Sequence, residues 1–190
     1  MSLLIIGLLL FFATHSISIV NVSWRNRIAA RIGTLSWQGL YSMAALAGLL
    51  LIIWGYGLAR QDPVVLYLPP AWLRHGAMLL LIFMFPLLLA TYLPGRIQTV
   101  TKHPMLIATK LWALAHLLAN GNLADVLLFG SFLTWAVVDR ISLKKRPVQV
   151  VPALPASRIN DVLAIVLGLA LYVVFVFWGH GWLIGVPLVA

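Results

Sequence analysis

The chain has 190 residues, of which 63% are hydrophobic and 9% charged, and its formal net charge is +9. A soluble domain carries roughly 25% charged residues, so this composition excludes a water-facing globule and leaves no stretch for a separate soluble domain. There is no cysteine, which excludes disulfides, thiolate metal sites and covalent haem attachment through CxxCH.

A helix needs about 20 predominantly apolar residues to cross the hydrocarbon core. Six stretches read as spans: 2–20, 38–58, 72–93, 104–120, 122–139 and 161–183. The N-terminus opens apolar, without a basic leader or a small-x-small cleavage site, so it reads as the first span rather than a cleaved signal. The fourth and fifth stretches are short, and Asn120-Gly121-Asn122 between them is a turn signal. After the fifth, the basic, proline-containing segment 144–158 reads as a cytoplasmic loop. A β-barrel would alternate apolar and polar residues, whereas Leu79-Leu80-Leu81-Ile82-Phe83-Met84-Phe85 is continuously apolar. The expected fold class is therefore all-α, a polytopic membrane bundle of about six transmembrane helices forming one domain over 1–190.

Charge placement gives the expected orientation. Arg25, Arg27 and Arg31 fall in the first loop, Arg96 and Lys102 in the third, and Arg140, Lys144, Lys145, Arg146 and Arg158 in the fifth. Only Arg60 and Arg74 fall in the second loop region, and Lys110 lies within a span. By the positive-inside rule the odd-numbered loops are cytoplasmic, so both termini are expected on the periplasmic side of a bacterial inner membrane. Trp24, Trp37, Trp54, Tyr56, Trp72, Tyr92, Trp135, Trp178 and Trp182 near span ends suit an aromatic belt. Basic residues spread over loops in this way point to a lipid bilayer as partner and not to nucleic acid.

Ionisable side chains inside a span are costly and are functional candidates. His15 sits on the first span in Thr14-His15-Ser16, where it suits either helix–helix hydrogen bonding or a metal or haem ligand. On the fourth span, Thr109, Trp112, His116 and Asn120 fall in one stripe at 3.6 residues per turn. That stripe suits a cofactor wall and equally suits helix–helix glue. Asp125 is expected at the depth of His116, as a carboxylate orienting the histidine or as an N-terminal cap after Asn122. Lys110 reads as a snorkelling lysine or as a partner for a buried anion such as a haem propionate. His75, His103 and His180 lie nearer span ends, with His75 and His103 as alternative ligands. No GxSxG, Walker, HExxH or EF-hand signature occurs. Histidine as the main chemical group points to metal, haem or proton handling.

Thr14-His15-Ser16, Gly39-Leu40-Tyr41-Ser42, Ile53-Trp54-Gly55-Tyr56-Gly57, Lys102-His103-Pro104 and above all Lys110-Leu111-Trp112-Ala113-Leu114-Ala115-His116-Leu117-Leu118-Ala119-Asn120-Gly121 carry a resemblance. The chain resembles the NnrU family of bacterial inner-membrane proteins over nearly its full length. That resemblance implies a link with denitrification, the reduction of nitrite and nitric oxide, beside a redox partner or a nitrogen-oxide reductase. The related zeta-carotene isomerase is a haem b enzyme with two histidine ligands. Carried over, these ligands are His15 and His116, with Lys110, Trp112, Asn120 and Asp125 around them. The cysteine three residues before the isomerase's second histidine is here Ala113, which removes a thiol-based ligand switch. Three readings follow: a haem b protein of nitrite and nitric-oxide metabolism, a haem-dependent cis-trans isomerase of a carotenoid or other apolar polyene, and a non-catalytic membrane factor with structural histidines. By depth alone, His116 pairs more naturally with His75 than with His15.

Overall fold

A computed structural model describes residues 1–147 and 152–189. The middle of the expected 144–158 loop, residues 148–151, lies outside the described residues. The chain divides into two compact units, Met1–Leu68 with Asn120–Val148, and Pro69–Ala119 with Gln149–Ala190. Each is described by itself.

The first unit is built on α1 (Ser2–Ile32), α2 (Thr34–Ala59) and α7 (Leu123–Ser142). α1 breaks at Asn21, whose backbone leaves the helical region at φ −153 and ψ 85. The Asn21 side chain then accepts the Trp24 N–H at 2.9 Å, as an N-cap does three residues ahead of its helix. The break falls where the first span is expected to end. Past it the arginine-bearing segment is helical rather than the expected loop, since Asn21 caps a fresh start and the chain reverses only at Gly33, φ 90. Trp24 and Trp37 meet edge-on at 6.3 Å, with the Arg25 guanidinium 5.8 Å over the Trp37 ring.

α1 and α2 approach closely because glycine lines the seam. A β-carbon on Gly55 would lie 2.2 Å from Leu4 N, one on Gly7 2.6 Å from Ile52 N, and one on Gly48 2.8 Å from Phe11 N. Apolar side chains have no hydrophobic incentive to leave lipid tails, so membrane helices associate through close backbone packing of this kind. At the end of the unit formed by the turn 120–122, Leu66 and Tyr67 donate their N–H groups to the Gly121 carbonyl and Leu123 donates to Val64. A side chain at Gly121 would collide with the Tyr67 carbonyl at 1.9 Å. The second and fourth loops are thereby joined, as alternate crossings require.

The second unit holds α3 (Leu73–Leu81), α4 (Met84–Ala90), α5 (Arg96–Thr101), α6 (Pro104–Ala119), α8 (Ile159–Val174) and α9 (His180–Ile184). The expected third span is one run interrupted at Ile82–Phe83, because Pro86 lacks an N–H and its ring crowds the carbonyl of Ile82 four residues back. Gly168 on α8 packs against this proline, with 2.5 Å between its would-be β-carbon and Pro86 N. A π-helical turn, Phe175–Gly179, joins α8 to α9. Asp161 on α8 accepts the N–H groups of Arg96 and Ile97 at 2.8 and 2.9 Å, capping α5 from outside. Asn160 donates to the Pro94 carbonyl at 2.9 Å, and Leu154 N–H to Tyr92. The third and fifth loops are thus tied together as well.

Among the described residues, four helical runs are long and apolar enough to cross a membrane: Ser2–Ile32, Thr34–Ala59, Leu73–Ala90 and Ile159–Ile184. Pro104–Ala119 is apolar but 16 residues long, about 24 Å. α7 has 20 residues and bears Asp125 and Asp139 toward its two ends. Large apolar side chains such as Leu9, Met43, Leu79 and Val166 are exposed, which suits lipid and not water. The molecule is a polytopic helical membrane protein, and every expected span is helical. Replacing Gly55 by Leu should force α1 and α2 apart and destabilise the protein by about 2 kcal/mol or more. Leu at Gly57, which has open space around it, should be nearly neutral. Thermal unfolding in detergent monitored by size-exclusion chromatography checks the pair, and equal loss in both would remove the glycine-seam account.

Candidate functional site

His15 sits where α1 meets α2 and α7. Its ring stacks on Phe11, one turn earlier, at 4.0 Å between centroids and 24° between planes. Tyr41 from α2 stands edge-on at 5.5 Å, and Trp135 from α7 edge-on at 5.8 Å. Phe12 and Phe132 complete the aromatic cluster, 4.9 Å from one another, with Phe12 also 6.1 Å from Trp135. The spacing explains the gathering. Phe11 and His15 lie four residues apart on one helix face, and so do Trp135 and Asp139.

His15 Nδ1 lies 2.8 Å from the Phe11 carbonyl oxygen. A carbonyl only accepts, so Nδ1 carries the proton and Nε2 keeps its lone pair. Among the described residues Nε2 has no hydrogen-bond partner, and neither has the Tyr41 hydroxyl. The Trp135 indole nitrogen is buried and has no partner there either. Buried polar atoms are nearly always paired in folded proteins, so the orphaned Trp135 N–H beside His15 makes this aromatic cluster the candidate site.

One turn past Trp135, the buried Asp139 forms an ion pair with Arg146, which also donates Nε–H to Ser142 at 3.0 Å. At the other end of the same unit, Tyr56 donates its O–H to Asp125 at 2.5 Å. The Asp125 carboxylate also accepts the Asn122 N–H at 3.2 Å, within a reciprocal capping box. Asp125 is therefore engaged as the cap of α7, one of its two expected roles. Tyr67 donates its hydroxyl to the Asn120 carbonyl at 2.8 Å. Burial, then the Asp125 carboxylate, raise the pKa of that hydroxyl, so it remains a donor at neutral pH.

In the second unit, the His116 ring is anchored through Nδ1 to a backbone carbonyl, as that of His15 is. Its Nδ1–H donates to the Trp112 carbonyl at 2.8 Å, with the two rings 5.3 Å apart. Thr109 spends its hydroxyl on Met105 at 2.9 Å. α6 ends at Ala119, so Asn120 lies in the following turn and not on the helical stripe expected for it. Lys110 is half-buried and makes no hydrogen bond or ion pair with the described residues. His75 is exposed. The His103 carbonyl receives the N–H groups of Leu106 and Ile107, opening α6 with Pro104 in the first turn. Lys102, just before it, takes φ 63 and ψ −41 as the centre of a tight turn in which His103 N–H bonds the Thr101 carbonyl at 2.7 Å. His180 donates to the Val186 carbonyl at 2.6 Å.

Comparison with known families settles the relationship. The profile described as "NnrU protein" matches residues 3–188. The chain belongs to the NnrU family. No significant match exists among curated proteins or among solved structures. The NnrU match covers both units, so the aromatic cluster at His15 and the anchored His116 both lie within family sequence.

Two residues of the cluster escape sequence reasoning as site residues. Trp135 reads as one more belt aromatic and Tyr41 as part of a motif. Only the packing of α7 and α2 on α1 brings them to His15. The Asp139–Arg146 pair had a fainter signal, in a lone acid followed seven residues later by an arginine. Removing one member of a buried pair leaves an uncompensated charge, costing about 3–5 kcal/mol. Arg146→Met alone should therefore destabilise the protein more than Asp139→Asn with Arg146→Met together. Thermal melts of the two variants in one detergent decide it, and a double variant less stable than the single would contradict the pairing.

Proposed function

We propose that this NnrU-family protein binds haem b in the bacterial inner membrane and serves nitrite and nitric-oxide metabolism, with His15 and His116 as axial ligands. The observation that carries the reading is His15, which presents an unpartnered Nε2 within an aromatic cluster while its Nδ1–H is held by a backbone carbonyl. Metal-bound histidines are fixed in this way, the second nitrogen setting the tautomer and the ring orientation. Aromatic walls keep water away and suit a flat apolar macrocycle. Among the described residues no three His or Asp side chains gather to hold a metal ion. A group that brings most of its own ligands therefore fits these histidines better than a bare ion.

His116 is proposed as the second ligand on its like anchoring to Trp112 and on the family resemblance. His75 is exposed, and the backbone of His103 is committed to opening α6, so both stand behind it. When bound, haem b would supply one-electron chemistry. The chain's own contribution is to hold the imidazole rings, exclude water and set the charge nearby. Ten basic residues in the odd-numbered loops against two in the even-numbered region support periplasmic termini. A redox partner or nitrogen-oxide reductase would then be met at the membrane.

Polyene isomerisation is the second reading, favoured by the apolar aromatic character of the cluster. Ala113, fully buried, offers no thiol near His116, so an isomerase of this chain would need another way to release a ligand.

His15→Ala and His116→Ala should each lower haem affinity by roughly tenfold or more, while His180→Ala, outside the proposed ligands, should not. Haem-to-protein ratios of the purified variants check this. Full occupancy in both ligand variants would remove the assignment and move attention to His75 and His103.

A further inference from the structure

Past the Asn21 break, α1 carries a basic surface that neither the haem reading nor helix packing uses. Trp24, Arg27 and Arg31 follow one another at spacings of three and four, so they share one face of the resumed helix, and all three are exposed. Ala29 is buried and lies about 200° round the helix from Arg27, at roughly 100° per residue. The stripe is thus turned away from the packed side. Trp24 meets Trp37 edge-on at 6.3 Å, and the Arg25 guanidinium lies 5.8 Å over the Trp37 ring. The aromatic pair therefore holds a third arginine beside the stripe.

Nothing in the chain neutralises this face. The sequence has four acidic residues, all aspartate. Asp125 takes the Tyr56 hydroxyl and the Asn122 N–H, Asp139 pairs with Arg146, and Asp161 caps α5. Asp62 follows the far end of α2 from the Gly33 turn. Among the described residues Arg27 and Arg31 have no hydrogen-bond or ion-pair partner. Like charges four residues apart on a helix repel, so the pair favours an anion from outside the chain.

The surroundings select the kind of anion. Val20, just before the break, and Leu35, at the start of α2, are each 82% exposed, so large apolar side chains flank the arginines. A free phosphate or an acidic peptide would leave them uncovered. A phospholipid covers both parts, with acyl chains on the apolar side chains and phosphate oxygens on the guanidiniums, whose forked N–H donors match them. Tryptophan favours the same headgroup depth.

We propose that the Trp24–Arg27–Arg31 face, with Arg25 beside it, binds the headgroup of an anionic phospholipid at the membrane surface. The proposal goes beyond the haem reading and uses none of its residues.

The test titrates the delipidated protein in detergent with phosphatidylglycerol and with phosphatidylcholine of the same acyl chains, counting bound lipid by native mass spectrometry. The ratio of the two affinities cancels unequal partition into micelles. Wild-type protein should prefer phosphatidylglycerol. Arg27→Gln and Arg31→Gln should each lower that preference roughly fivefold. Arg74→Gln, at an arginine that is also exposed but lies in the second loop region, should leave it unchanged. Should a variant fail to fold, the wild-type ratio still decides. Equal wild-type affinity for the two lipids would overturn the proposal and leave the basic face to an acidic protein partner. A preference lowered as much by Arg74→Gln as by Arg27→Gln and Arg31→Gln would overturn it too, since overall charge and not this face would then select the lipid. Neither result bears on haem occupancy.

Discussion

Inside a bilayer a hydrogen-bonding group has no water to turn to, and the structure follows from that constraint. Helices satisfy their own backbones, so the polar side chains left within the spans must find partners on neighbouring helices or on something bound. Most do so locally. Thr14, Thr91 and Thr109 each return a hydroxyl to the carbonyl four residues back. Asp125 and Asp161 close helix N-termini, Asn160 holds two carbonyls, and Asp139 has Arg146. Trp135 Nε1 stands out because it is buried without a partner among the described residues, with its ring against His15.

Packing makes that arrangement durable. Gly7, Gly48 and Gly55 let the backbones of α1 and α2 touch along most of their shared length, which fixes Tyr41 relative to His15. Phe12 and Phe132 then seat α7 against α1 and carry Trp135 to the same place. A site built on helix faces in this manner is held more tightly than one built on loops. Among the described non-glycine residues, backbone strain falls away from it, at Lys102 with φ 63.

Much of this was legible in the sequence, for identifiable reasons. Continuous apolar runs with basic residues between them predict membrane helices, and the expected spans are all helical. The end of the first span at residue 20 coincides with the Asn21 break. What the sequence missed were continuations and interruptions within helices. The arginine segment past Asn21 stays helical because an asparagine can cap a new helix as readily as it ends one. The third span is broken at Ile82–Phe83 by a proline four residues downstream. In the site, histidine was legible because it is rare and costly in a span, and Asp125 as a cap because Asn122 precedes it by three residues. Tyr41 and Trp135 were not, since an aromatic near a span end looks the same whether it faces headgroups or an aromatic cluster. The difference lies in tertiary contacts between residues 26 and 120 positions from His15.

The central claim is that the unpartnered histidine in this cluster serves a haem. The most direct measurement is the oxidised and reduced visible spectrum of wild-type protein purified after expression with ample haem supply, with a pyridine haemochrome assay for stoichiometry. The account predicts close to one haem b per chain and the sharp reduced bands of a six-coordinate iron. A colourless protein under those conditions would contradict it, and the cluster would then be a packing device between α1, α2 and α7.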